Sequence, residues 1–166
     1  EPDAAGSRAL LFLDADLEDS AAEAAPLIEP VREGSADMTI AILPPQRSSG
    51  GGHGLVVRLA RVGIERATGW PATQPLSGQR CLTRTAFLAA LPLADGFGVE
   101  VGLSIDLLRR GYQIREVEVP FHHRVTGADW RSQVHRGRQW LDVARALLWR
   151  GVAPFVLPVV GRRRWR

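Results

Sequence analysis

Lysine is missing from this chain. All 21 basic residues are arginine, and tyrosine and cysteine occur once each. The isoelectric point of 10.3 is therefore poor evidence for nucleic-acid binding. Guanidinium groups stay charged, and with so few phenols and thiols little deprotonates at high pH to pull the value down. The net charge is only +3. A single cysteine, Cys81, excludes a disulfide framework and a cysteine metal site. Long apolar runs are missing too. The most apolar late stretch, 151–161, holds Pro154 and Pro158 and falls short of the roughly 20 residues that span a bilayer. The opening residues carry no signal-peptide pattern. These absences predict a cytoplasmic protein, at most peripheral to a membrane, with no nucleic-acid partner.

What is present fits one α/β domain. Hydrophobic residues make up 45% of the 166, too many for disorder and enough for a core. The run Ala9-Leu10-Leu11-Phe12-Leu13 reads as a buried parallel strand. Asp19 or Ser20 can cap a helix reaching about Glu29, with Pro26 as a kink or stop. Strands are predicted over Asp37–Leu43 and Ile114–Val119, with a strand-helix pair over Arg80–Leu91. Helices are predicted over Leu55–Thr68 and over Val99–Arg110, the latter stopped by Gly111. A long helix begins at Asp129 and runs to about Arg150, with Trp130, Val134, Leu141, Ala144 and Leu148 expected to face the core. Charge is uneven: from Arg109 onward thirteen arginines meet only four acids. Arg131, Arg138 and Arg145 recur at intervals of seven, so they share one helical stripe. That stripe suits phosphates or anionic lipid, each arginine adding about 1 kcal/mol near a charged surface.

The chemistry centres on Asp14-Ala15-Asp16, immediately after the first apolar run. Ligands of open α/β sheets bind beyond the carboxyl ends of strands. Two carboxylates there can share a hard cation, Mg²⁺ or Mn²⁺, and bridge it to a diphosphate. The bland reading is a solvated turn or helix cap. Two further motifs lie downstream: 74–80, QPLSGQR, with 96–106, GFGVEVGLSID; and 119–124, VPFHHR. Together, in this order, they resemble the GT-A glycosyltransferases, most closely the glucosyl-3-phosphoglycerate synthases and more loosely the dolichyl-phosphate mannosyltransferases. The resemblance covers roughly residues 9–145.

The resemblance implies a Rossmann-like GT-A fold with a mostly parallel sheet and a C-terminal helix. It divides the chain into residues 1–127, the later part of a catalytic domain, and 128–166, an amphipathic helix with a basic tail. It implies a metal-dependent transferase moving a hexose from a nucleoside-diphosphate sugar to a small phosphorylated or polyol acceptor, or to a polyprenyl phosphate. Asp14 and Asp16 match the residues that hold metal and donor nucleotide, and His123 matches a third metal ligand. Glu100 matches an acid near the acceptor: a base in an inverting transfer, a binder in a retaining one. Ser77 and Gly78 match a loop presenting backbone N–H groups at the transfer centre.

Two departures matter. Where the synthases have a glycine-rich loop followed by Arg-Val-Thr, this chain has 50–55, GGGHGL. Gly52 and His53 remain on the acceptor side, but the arginine and threonine that grip an acceptor phosphate are gone. Only thirteen residues precede Asp14, where the fold has about a hundred that bind the nucleotide. The expectation is a chain lacking that half, aggregation-prone or homo-oligomeric because its first strand is an open edge. Two rivals remain. A phosphatase of the haloacid dehalogenase type also has Asp-x-Asp after a strand, but needs a downstream lysine. An inactive remnant would bind a partner or membrane through its arginine-rich half.

Overall fold

The computed structural model describes residues 9–44, 53–121 and 131–153, apart from the side chains of Asp16, Glu18, His53 and residues 131–136. Strand β1 (Ala9–Phe12) leads through a 3-10 stretch (Ala15–Glu23) into α1 (Ala25–Arg32) and β2 (Met38–Ile42). Helix α2 (His53–Thr68) precedes β3 (Arg80–Thr83) and α3 (Arg84–Ala89). A 3-10 turn (Gly96–Gly98) opens α4 (Val99–Arg109), and β4 (Ile114–Glu118) and α5 (Arg131–Trp149) complete the order. The boundary expected at 127/128 lies outside the described residues.

The four strands form one sheet in the order β1-β3-β2-β4. Sequence reasoning expected it mostly parallel; it is mixed. β2 and β4 pair in parallel, whereas β3 runs antiparallel to both β1 and β2. The mainly apolar β2 is buried on both faces. Met38 and Ile40 join Leu82, Leu103 and Leu107 beneath α3 and α4. Ala41 and Cys81 join Leu17, Leu27 and Phe121 on the α1 side. Thr39 adds a tether, its hydroxyl donating to the Leu27 carbonyl at 2.6 Å. β1 lies at the sheet edge, as expected of an open first strand, but it is neither parallel to its neighbour nor buried. Its Leu11 and Phe12 are 39% and 43% exposed.

Local signals explain the element ends. The Thr83 side chain caps α3 by accepting from the Ala86 N–H, and Gly111 takes φ +83° after α4, a conformation that favours glycine. The helix expected up to Glu29 divides instead: the 3-10 stretch ends at Glu23, and α1 starts with Pro26 in its first turn, where a missing N–H costs nothing.

Helix α5 keeps part of its expected core face: Ala144 turns inward as expected, Leu141 and Leu148 do not, and Trp130 and the Val134 side chain lie outside the described residues. Val143, Ala144, Ala146 and Leu147 are buried, while Leu141 and Leu148 are among the exposed large hydrophobic residues. Glycines on the opposing elements set this phase. A Cβ at Gly98 would come within 2.8 Å of the Ala146 Cβ and 2.7 Å of the Asp142 carbonyl oxygen, and one at Gly63 would strike the Leu147 side chain. The glycines thus leave room for Asp142, Ala146 and Leu147 to approach closely, and that side turns inward. Arg150 locks the arrangement: its guanidinium grips the Asp106 carboxylate through two N–H groups, one pair at 2.8 Å.

Candidate functional site

At the carboxyl end of β1 the backbone turns at Asp14, which precedes the 3-10 stretch yet makes no side-chain capping bond. The bland reading of this carboxylate as a helix cap is thereby removed. Its Oδ2 instead accepts a 2.6 Å hydrogen bond from Gln79 Nε2, and Gln79 Oε1 accepts in turn from the Ser77 hydroxyl at 3.1 Å. Gln79 and Ser77 are both buried. Oδ1 faces Gly78, where a Cβ would stand 3.2 Å from it. Glycine keeps that side of the carboxylate open.

The loop carrying Ser77 and Gly78 is held from beneath by Arg80, 2% exposed. Its Nε donates to the Ser77 carbonyl at 2.8 Å and one terminal nitrogen to the Pro75 carbonyl at 3.1 Å. The other terminal nitrogen donates to the Glu100 carbonyl and the Ser104 hydroxyl, both at 3.0 Å. One guanidinium thus joins the loop to the first turn of α4. Burial pulls its pKa down to about 10, with Glu100 and Glu116 opposing the fall; the charge is retained at neutral pH. The loop's other end is fixed by Glu116, whose carboxylate accepts from the Thr73 and Gln74 N–H groups at 2.8 Å. The Gln74 amide in turn clamps the Leu43 backbone.

Glu100 sits in the first turn of α4, across a cavity of about 380 Å³ lined by Asp14, Gly78, Arg80 and Glu100 and walled by apolar side chains including Phe12, Phe87 and Leu103. Its carboxyl pKa is raised, mainly by burial and further by the Asp14 charge, against the opposing pull of its backbone hydrogen bond and of Arg80. A carboxyl so placed is closer than an ordinary one to the range useful for accepting a proton.

Four expected site residues, Asp14, Ser77, Gly78 and Glu100, therefore meet at one end of the sheet. Gly52, His122 and His123 lie outside the described residues, as do the side chains of Asp16 and His53. Among the described residues no three His, Cys, Asp or Glu side chains group as a metal site. The donor chemistry nevertheless suits a hard cation: Asp14 offers carboxylate oxygen, and Gly78 leaves the space a Cβ would fill. Sequence reasoning gave no role to Gln79, Arg80 or Glu116. The available signal was an arginine opening an otherwise apolar strand, Arg80-Cys81-Leu82; a charge placed there must be fully hydrogen-bonded.

No protein-family profile matches the chain. Over 127 residues it is 32% identical to Glycosyltransferase AglJ of Haloferax volcanii, spanning 72% of this chain and 40% of that one. Among solved structures it is similar to glucosyl-3-phosphoglycerate synthase from Mycobacterium tuberculosis. The complex with Mn²⁺, uridine-diphosphate-glucose and phosphoglyceric acid gives 27% identity and a TM-score of 0.66, covering 87% of this chain and 50% of that one. The complex with Mg²⁺ and uridine diphosphate gives 27% identity and a TM-score of 0.67 over the same shares. The chain thus spans about half the length of these structures, and less of the curated relative.

Proposed function

The chain has the fold and sequence likeness of a GT-A glycosyltransferase over the part it shares with these proteins, and on that premise we propose that it forms the acceptor side of a metal-dependent transferase. The reaction is transfer of a hexose from a nucleoside-diphosphate sugar to a small phosphorylated or polyol acceptor. The observation carrying this reading is the convergence of Asp14, Gly78 and Glu100 on one cavity at the end of β1. Asp14 and Asp16, with His123, would hold Mg²⁺ or Mn²⁺. The cation supplies charge neutralisation for the departing diphosphate. Glu100 addresses the acceptor hydroxyl, taking its proton as the new C–O bond forms in an inverting transfer, or binding it in a retaining one. Gly78 would face the transferring sugar, Ser77, whose own N–H donates to the Gln74 carbonyl, would support it from behind, and Gly52 and His53 would contact the acceptor.

The test is binding of uridine diphosphate by calorimetry, with and without Mn²⁺. Binding should require the metal, vanish on chelation, and be lost in Asp14→Ala and in Asp16→Ala. Equal binding in the aspartate variants would remove the metal assignment.

A second acceptor class, polyprenyl phosphate at a membrane surface, draws support from α5. Its outward side carries Leu141, Leu148 and Trp149, the last 71% exposed, with Arg138 and Arg145 exposed on the same helix. Apolar side chains interleaved with arginine suit an anionic lipid surface. No described helix is long and apolar enough to cross a membrane. Flotation with anionic but not neutral vesicles is expected, weakened by salt and by Arg138→Glu with Arg145→Glu. Absence of flotation at low salt favours the soluble acceptor.

A further inference from the structure

From the Ser77–Gln79–Asp14 geometry we infer that Gln79 is a positioning residue: it fixes the Asp14 carboxylate so that one oxygen is spent internally and the other is presented to a divalent cation. The inference rests on the metal reading above. It identifies a determinant of metal affinity that is not itself a ligand.

The direction of the chain of hydrogen bonds follows from donor and acceptor chemistry. An ionised carboxylate only accepts, so the amide must turn its NH₂ toward Asp14. Gln79 Oε1 then faces Ser77, whose hydroxyl donates to it. The carboxylate therefore decides which way the amide turns, and the Ser77 hydroxyl, donating to Oε1, anchors the far end of that amide. Each bond is within range, 3.1 Å and then 2.6 Å. Gln79 and Ser77 are buried, which shields the bond between them from water, while Asp14 itself is exposed. Oδ1 has no hydrogen-bond partner among the described residues, and it lies on the Gly78 side, where a side chain would crowd it. Ser77 is itself held through its carbonyl by Arg80, so loop position and carboxylate orientation are linked.

Partners that orient metal ligands typically contribute 10–100-fold to affinity. Gln79→Leu keeps the approximate volume and removes both hydrogen bonds. The experiment is Mn²⁺ titration of the full chain with uridine diphosphate present, following the paramagnetic resonance signal of the free ion, alongside thermal melts of each variant. Gln79→Leu should bind Mn²⁺ about 10–100-fold more weakly while melting as a folded protein. Ser77→Ala, which removes only the anchor at the far end of the amide, should weaken binding less. If wild type binds Mn²⁺ and the folded Gln79→Leu protein binds it equally well, the positioning role is overturned and the metal reading stands. If wild type itself fails to bind, both fall. Should Gln79→Leu not fold, unchanged Mn²⁺ affinity in folded Ser77→Ala overturns the relay.

Discussion

Arg80→Leu should cost about 3–5 kcal/mol of folding free energy, enough to leave a domain of ordinary stability, roughly 5–15 kcal/mol, close to unfolding. Replacing a buried charge by an apolar side chain is often tolerated when its whole network is replaced with it. Here it cannot be. Three of the four acceptors are main-chain carbonyls, of Pro75, Ser77 and Glu100, and no side-chain substitution removes them. Ser104 still donates to the Glu100 carbonyl, so the orphaned groups are chiefly Pro75 and Ser77. Each buried carbonyl left unpaired costs about 1–3 kcal/mol. Arg80→Lys should be milder, because an ammonium has three donors but lacks the planar fork. Urea unfolding checks both: the midpoint should fall sharply with little change in slope. A loss below about 1 kcal/mol in Arg80→Leu would show that the guanidinium does not hold the loop.

Glu100→Gln should move stability and turnover in opposite directions. The Glu100 pKa is raised in the folded chain, chiefly by burial. The native state therefore holds this proton to higher pH than the unfolded chain does. Between the unfolded and folded values, the wild type loses stability as pH rises. Glutamine has no such proton to lose. The variant should thus be more stable than wild type at neutral pH, and the difference should close as pH falls below the ordinary carboxylate range. If Glu100 is the base of an inverting transfer, release of uridine diphosphate with acceptor should meanwhile drop about 10²–10⁴-fold. Urea melts at neutral and acid pH, set beside that assay, check both halves. A variant less stable than wild type at neutral pH would mean that the carboxylate is stabilised by its surroundings, contrary to the cause assigned here.

The legible parts of the fold were those with strong periodicity or punctuation. Helix α2 followed from its apolar spacing and α4 from its glycine stop. The β3–α3 pair and β4 were placed within a few residues. Strand direction was not legible, because an apolar run such as Leu10–Phe12 records burial tendency and says nothing of its neighbour's direction. The phase of α5 was only partly legible, for a related reason. Leu141 and Leu148 look like core residues by composition, but Gly63 and Gly98, far away in sequence, decide which side can approach. In the candidate site, motif order had singled out Asp14, Ser77, Gly78 and Glu100, which the fold brings to one end of the sheet. Gln79, Arg80 and Glu116 were not, because their work is to satisfy main-chain and carboxylate groups supplied by segments distant in sequence.

The two edges of the sheet differ in chemistry, and that gives it a direction of growth. β4 borders one side with Ile114-Arg115-Glu116-Val117-Glu118, whose charges oppose another strand settling beside it. Glu116 is already engaged with the 73–74 backbone. β1 borders the other with Ala9-Leu10-Leu11-Phe12, which has no charge and no proline, and a ladder side turned away from β3. Among the described residues, a strand recruited from elsewhere meets a charged edge at β4 and an uncharged one at β1. At β1 it would arrive next to Asp14, so enlarging the sheet and walling the cavity at the end of that strand would be a single event.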